Sequence, residues 1–488
     1  DETFALTKKG KKISKERIPS ATQLFTPDWI VRYMVENSLG RLWVEGHTSG
    51  EWSEETEKKA AESFGWKYYL PEAKQEPEVA EQLKGIRDEY SKLNPKDLTF
   101  IDPSMGSGHI LVYAFDVLMQ IYESLGYTDR DAARSIVANN IYGLDIDDRA
   151  YQLAYFAVMM KACEYDGRFL TRGVKPHVYS IQESNDINRN QLKYFGAGLS
   201  DIEKNNAMNQ VAGLLDTYVD AKEYGSILNV ENYDWELLER FAESTVDQGQ
   251  MNIETIGIDE TQRKLQRLIE IGSVMAQKYW VTCTNPPYLN VSSGNVHLKK
   301  YVEENYYNSR NDLYSVFILR NKNFATNNGI VSMVTQQAWM FNEIYSDFRE
   351  DLKSEMLISL IQMGAHGFNE INGEVVQTAA FTLMKSHNLD YMGQYCDLTA
   401  GKSEEEKQED FLNIENRYFV AYKEFEDVPN RAMAYWMSHN ALKDFDYDKL
   451  GKIFITREGM ATAGNDSFLR GWFEVQYEKI GNAEDSQE

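Results

Sequence analysis

Cysteine is scarce: three residues in 488, at positions 163, 283 and 396. They lie too far apart for metal-ligand spacing, so they read as reduced core thiols of a cytoplasmic protein. No apolar run is long enough to span a bilayer, and no secretory signal pattern is present. Positive charge is in deficit, with 51 Lys and Arg against 76 Asp and Glu, a formal charge of −25. Such a surface repels phosphate backbones, so a nucleic-acid partner requires local concentrations of basic residues. KKGKKISKER at 8–17 is one such concentration, although a charge run of this kind is more often a solvated tail. The chain also lacks the dinucleotide fingerprint G-x-G-x-x-G, the lysine-serine ending of a phosphate loop, an internal repeat and a metal-nuclease cluster.

What is present is an ordered succession of strands and helices. The length predicts two or more domains. In ATQLFTPDWIVRYMVENSLGRLW, Thr26 can cap a helix, Pro27 suits its first turn, and Ile30, Val31, Met34 and Val35 share a face. Residues 51–96 are charged helices and loops around the aromatic patch WKYYLP. LTFID at 98–102, IYGLDI at 141–146 and HVYSIQ at 177–182 read as strands separated by helices, which argues for a parallel, doubly wound α/β sheet. The alternation stops from 185 to 276, where helical spacing (Val211, Leu214, Leu215, Tyr218; Leu265, Leu268, Ile269, Met275) predicts a helical insertion. The sheet resumes with YWVTC, GIVSMV, LISLIQM and VVQTAAFTLM. SEEEKQED at 403–410 reads as a linker or loop. The expected divisions are therefore 1–96, 97–184, 185–276, 277–386 and 387–488.

Two strand ends carry chemistry. IDPSMGSGHI puts a carboxylate, two glycines and a helix start in ten residues. Gly106 and Gly108 allow close approach of a ligand to the backbone, and the helix start presents amides to a negative group. The next strand ends at Asp145, where ligand ribose hydroxyls are met in open α/β sheets, while Asp147 suits the N-cap of the following helix. Together they suggest a nucleoside-containing cofactor. A third strand, WVTC, stops abruptly in TNPPYLN, because neither proline can donate a ladder hydrogen bond.

The order DPSMGSG, GLDID, NPPY resembles that of N6-adenine DNA methyltransferases. TQLFTPDWIVRYM resembles the helix before their cofactor strand, and NDLYSVFI and GIVSMVTQQAWMF their later segments. The match runs in order over residues 23–384. SIQESN, the long helical insertion and MATAGNDSFLRGWFEV at 460–475 look more narrowly like the methyltransferases of BREX phage-defence systems, with type IIG restriction–modification enzymes as near neighbours. The resemblance implies a Rossmann-like class I fold using S-adenosylmethionine. It places Asp102, Ser104, Gly106 and Gly108 around the methionine part, Thr26 on its carboxylate, Asp145 on the ribose and Ile146 against the cofactor adenine. Glu183, or Gln182, would take the adenine amine. Asn285 and the carbonyl of Pro286, held rigid by its own ring and that of Pro287, would accept from the target amine. Tyr288 would stack on the flipped base, with Phe368 as a second stacking group or an ordinary core residue.

The same motifs admit other readings: a type IIG methyltransferase part, a protein-glutamine or RNA methyltransferase, or a non-catalytic scaffold that only binds cofactor. The expected partners are double-stranded DNA, bound weakly by this chain alone, other BREX proteins and a DNA-mimicking phage inhibitor, with no metal and no membrane. The start at Asp1 and the short stretch after Met384 suggest a fragment of a longer protein.

Overall fold

The computed structural model describes residues 26–48, 52–243, 256–368 and 376–442. The basic run at 8–17 and the segment at 460–475 lie outside the described residues. Residues Asp1–Trp436 form one compact unit and Met437–Glu488 a second, of which a short helix, His439–Leu442, is described.

Helix α1 (Asp28–Val35) opens the described chain. Its N-cap is Pro27 rather than the expected Thr26, whose hydroxyl is engaged elsewhere. Trp29, Ile30, Val31, Tyr33, Met34 and Val35 are all buried, so the helix is a core element and not a surface amphipath. A π-helical turn, Glu36–Gly40, leads into α2 (Arg41–His47), followed by α3 (Glu54–Ser63) and α4 (Pro77–Tyr90).

The sheet then begins. β1 (Phe100–Asp102), α5 (His109–Ser124), β2 (Ile141–Asp145), α6 (Asp148–Tyr165) and β3 (His177–Ser180) alternate as expected. The insertion supplies α7 (Asp201–Thr217), α8 (Trp235–Glu243) and α9 (Ile258–Ala276). β4 (Tyr279–Thr284), α10 (Val296–Asn305), α11 (Leu313–Phe324), β5 (Ala325–Gln336), β6 (Met356–Gly364) and β7 (Thr378–Met384) follow. β8 (Met392–Asp397), α12 (Glu404–Phe411) and β9 (Arg417–Ala421) complete the sheet.

Among the described residues the nine strands form one sheet in the order β3-β2-β1-β4-β5-β7-β6-β8-β9. β3 through β5 are parallel, and β7 inserts antiparallel between β5 and β6. This order defines a Rossmann-like class I methyltransferase sheet, extended at one edge by β8 and β9. The sheet therefore continues past the division expected at 386. SEEEKQED is not a loop: Ser403 caps α12 by accepting from Glu406 N, and Phe411 packs against Trp29 and Tyr33 at 5.9 Å.

Residues alternate across the sheet. Phe100, Ile141, Val281 and Cys283 face one way, into a core shared with α1, α5 and α6. Ile101, Tyr142, Leu144 and, across a register shift between Tyr279 and Val281, Tyr279 face the other way, against Leu214, Phe241, Leu265 and Ile269 of the insertion. The insertion is thus the second covering layer of a sheet buried on both faces, as parallel sheets require.

Under α2 lies a buried ionic network. Arg41 Nη1 donates to Glu45 at 2.7 Å and reaches Glu57 at 3.5 Å, while Nη2 donates to the Leu70 carbonyl. Arg87 pairs with Glu72 and lies 3.5 Å over the Trp52 ring. Three carboxylates face two guanidiniums, and burial first, then the neighbouring Glu45, pushes Glu72 up to about 8. Removing one partner of such a network strands a buried charge. Arg41→Ala is expected to cost about 3–5 kcal/mol, read as a lower urea midpoint at unchanged slope. A loss below about 1 kcal/mol would show the network to be energetically neutral.

Candidate cofactor and target-base site

The chain leaves β1 in one direction across the sheet, to β2 and β3, and returns at β4 to build the other direction. The carboxyl ends of β1 and β4 therefore flank a crevice at the topological switch point, the usual ligand position in open α/β sheets. A cavity of about 420 Å³ lies there, lined by Thr26, Asp102, Ser104, Gly106, Asp145 and Asn285 among others.

Asp102 ends β1 and is buried. Its Oδ1 accepts from Ser104 N at 3.1 Å and from the Thr284 hydroxyl at 2.6 Å, whereas Oδ2 is buried without a hydrogen-bond partner. Burial pushes the carboxyl up to about 7, with a smaller push from Asp145, against the two hydrogen bonds. Gly106 (φ 52°) donates its N–H to Asp145 Oδ2 at 2.9 Å, and a side chain there would enter open space. Gly108 (φ 84°) is constrained differently: a Cβ would sit 3.0 Å from the Ala154 Cα, so it allows α5 and α6 to approach. Asp145 Oδ1 accepts from Asp147 N at 2.9 Å, and burial is the main cause of its raised pKa. Asp147 caps α6 through Arg149 N, so the two acidic residues divide the tasks of site and cap.

TNPPYLN leaves β4 beside this turn. Ser104 Oγ lies 2.6 Å from Thr284 Oγ1 and 3.2 Å from the Asn285 carbonyl oxygen. Asn285 Nδ2 donates to Thr26 Oγ1 at 3.0 Å, which brings the N-terminal helix to the cavity. Tyr288 is half-buried; its hydroxyl donates to the Val334 carbonyl at 3.2 Å and its ring meets Tyr314 edge-on at 6.1 Å. Asp312 steadies the segment after it by accepting from Leu289 N at 3.1 Å.

The structure therefore brings Thr26, Asp102, Ser104, Gly106, Asp145, Ile146, Asn285 and Pro287 to one cavity, with Gly108, Pro286 and Tyr288 adjoining in the chain. Gln182 and Glu183 do not line it. Gln182 donates to Ser180 Oγ at 2.8 Å and Asp148 at 3.3 Å; Glu183 accepts from Lys222 N at 3.3 Å. Phe368 is buried in the core shared with α1 and lies outside the cavity lining. The wall beside Ile146 comes instead from residues 222–226 of the insertion, which sequence reasoning missed. Gly225 (φ 62°) was its one local sign. Among the described residues no three His, Cys, Asp or Glu side chains gather to hold a metal ion, and no helix is long and apolar enough to cross a membrane.

Residues 139–368 match the family model described as Eco57I restriction-modification methylase. More narrowly, the chain is 39% identical over 483 residues to Adenine-specific methyltransferase PglX of Lacticaseibacillus casei (strain Zhang), covering 97% of this chain and 39% of that protein. It is 34% identical over 487 residues to Adenine-specific methyltransferase BrxX of Escherichia coli O9:H4 (strain HS), covering 96% and 39% respectively. The chain thus spans about two fifths of the length of these curated relatives. Among solved structures, a nuclease-deletion mutant of the type ISP restriction-modification enzyme LlaGI with a DNA substrate mimic is similar at TM-score 0.47 and 13% identity, covering 86% of this chain and 28% of that one. The fold class above rests on the strand order.

S-adenosylmethionine is the methyl donor that the similarity to adenine-specific methyltransferases implies, and the residues fit it. The unpartnered Asp102 Oδ2 suits the ligand's ammonium, and the open backbone at Gly106 leaves room beside it. The raised Asp102 carboxyl must lose its proton to take a cation. Below about pH 7 binding therefore displaces a proton, and above about 8 the ligand's own amine discharges. Affinity measured by calorimetry should rise from pH 5.5 to 7, level off, and fall again above about 8. Asp102→Asn should remove the rise and weaken binding about tenfold or more. In the cofactor-free chain the raised carboxyl costs stability as pH climbs from its unfolded value towards 7, so the same substitution should raise Tm at pH 7.5. An unchanged pH profile in the variant would remove Asp102 from the site.

Proposed function

We propose that this chain is the catalytic portion of a site-specific DNA adenine-N6 methyltransferase acting in a BREX-type phage-defence system. One observation carries the reading. The donor cavity and the NPPY segment share a hydrogen-bonded junction, Asp102–Thr284–Ser104, that sets Asn285 against the cavity. The similarity to PglX and BrxX supports the substrate class.

Adenine N6 is a poor nucleophile because its lone pair is delocalised into the ring. S-adenosylmethionine supplies an electrophilic methyl on a sulfonium. The chain's task is to free the lone pair and aim it. The Asn285 side-chain oxygen and the Pro286 carbonyl accept from the two amine protons, which favours a tetrahedral nitrogen. As the N–C bond forms and the C–S bond breaks, one proton leaves the nitrogen towards these acceptors and solvent. Oriented dipoles held in advance do this without a covalent enzyme intermediate. Tyr288, tethered through its hydroxyl to Val334, offers a fixed ring against which an extruded base can stack, offsetting part of the unstacking cost.

The proposed partners are duplex DNA, other proteins of the defence system and, as an antagonist, an acidic DNA-mimicking phage protein. Asn285→Ala, made in the natural protein, should abolish N6-methyladenine in host DNA by mass spectrometry while leaving cofactor affinity within about threefold, since the side chain addresses the substrate amine. Persisting methylation would refute this role, and methylated glutamine or guanine in place of adenine would refute the substrate. Because the chain carries −25 overall, anisotropy titration of these 488 residues should find weak, steeply salt-dependent duplex binding at physiological salt. Tight, sequence-selective binding would place recognition within them.

A further inference from the structure

The helical insertion does more than cover the sheet. After α7, residues 222–226 cross the crevice as a strap that is anchored along its length. At the β2–β3 side, Lys222 Nζ donates to Asp148 Oδ2 at 2.9 Å, and its backbone N–H donates to Glu183 Oε1 at 3.3 Å. In the middle, Gly225 passes so close to Ile146 that a Cβ would lie 2.6 Å from its Cγ2. At the β1 side, Ser226 Oγ donates to the Pro103 carbonyl at 2.6 Å, and the Ser226 carbonyl accepts from the buried Arg320 Nε at 2.9 Å. Arg320 also donates to the Met275 carbonyl at the end of α9, at 3.1 Å. The Tyr306 hydroxyl holds the next carbonyl, Ile227, at 2.7 Å.

The direction of the strap orders its residues along a ligand. Asp102 marks the β1 end of the cavity and Asp145 the β2 end, where a ribose would sit. A base attached to that ribose extends further, towards β3. The lining residues include Ile146 and, from the strap, Glu223 and Tyr224. The Tyr224 ring is backed by Tyr301, with centroids 4.8 Å apart. Gln182 and Glu183, the residues at the end of β3, are turned to Ser180, Asp148 and Lys222 instead.

We infer that the insertion, and not the end of β3, reads the cofactor's base: the Glu223 carboxylate accepts from the exocyclic amine of adenine, and Tyr224 packs on the base opposite Ile146. Glu183 is then a positioning residue that holds the strap through the Lys222 N–H. This rests on the reading of the cavity as an S-adenosylmethionine site and adds the chemistry that selects adenine. A carboxylate accepts from a 6-amino group but repels a 6-oxo group, whereas a carboxamide can donate to the latter.

The test uses calorimetry on the 488-residue chain with S-adenosylhomocysteine and S-inosylhomocysteine, which differ at that position. The unsubstituted chain should prefer the adenosyl ligand by about tenfold or more, the range of one hydrogen bond to a charged group. Glu223→Gln, nearly isosteric, should bring the two ligands within about threefold or reverse the order. Tyr224→Ala should weaken both ligands about tenfold without changing their ratio. Glu183→Gln, which keeps an acceptor for the Lys222 N–H, should leave the preference as in the unsubstituted chain. Preference retained in Glu223→Gln, or lost in Glu183→Gln, overturns the inference alone. Failure of the unsubstituted chain to bind either ligand overturns the cofactor reading, and the inference with it.

Discussion

The hydroxyl of Thr284 ties the two chemical halves of this molecule together. It is fully buried and donates at 2.6 Å to Asp102, a residue 182 positions earlier in the chain. The contact exists because β1 and β4 are parallel neighbours, with Phe100 opposite Val281 and Ile101 opposite Thr282, so that their carboxyl ends stop level. Everything at the site is referred to this point. The glycine turn leaves Asp102, the NPPY segment leaves Thr284, and Ser104 stitches the two exits together. A carboxylate taken out of water costs several kcal/mol unless it is hydrogen-bonded. Asp102 is half satisfied, on Oδ1, and turns its remaining demand towards the cavity.

The insertion shows how one segment can both cover a sheet and line a cavity. A parallel sheet must be covered on both faces, and α7, α8 and α9 cover the face that α1, α5 and α6 do not. Having packed there, the chain between α7 and α8 is delivered to the rim of the crevice. The strap is held by core residues, Arg320 and Tyr306 among them, so its position is inherited from packing. Similarly, the N-terminal helix is buried for packing reasons, and that burial brings Thr26 within 3.0 Å of Asn285. The cavity is lined from three separate parts of the chain.

The local features were legible in the sequence. Strands expected at 98–102, 141–146 and 279–283, and the helices after the first two, follow from apolar period and turn residues, which act over a few positions. The glycine turn, the capping role of Asp147 and the abrupt stop at NPPY are likewise short-range consequences of backbone sterics and missing donors. Where a local signal competed with a distant one, the distant one won. Thr26 has the chemistry of a cap but bonds to Asn285. SEEEKQED has the composition of a loop but is a helix, because Ser403 caps it and Phe411 finds Trp29 and Tyr33 across the fold. β8 and β9 escaped notice because they extend the sheet from beyond the stretch where motifs run.

By itself, the sequence determined the class of sheet, the two acidic strand ends, the glycine turn and the abrupt stop at NPPY, since each depends on covalent geometry and near neighbours. The tertiary structure alone decided which carboxylates line the cavity. Glu183 and Glu223 are equally acidic on paper, and nothing within a few residues of either separates them. The fold separates them, because the crossing of the strap sends the backbone of Lys222 to one and leaves the other lining the cavity. A side chain's role at a site assembled from distant segments is set by which of them occupies the available space, and that is a property of packing.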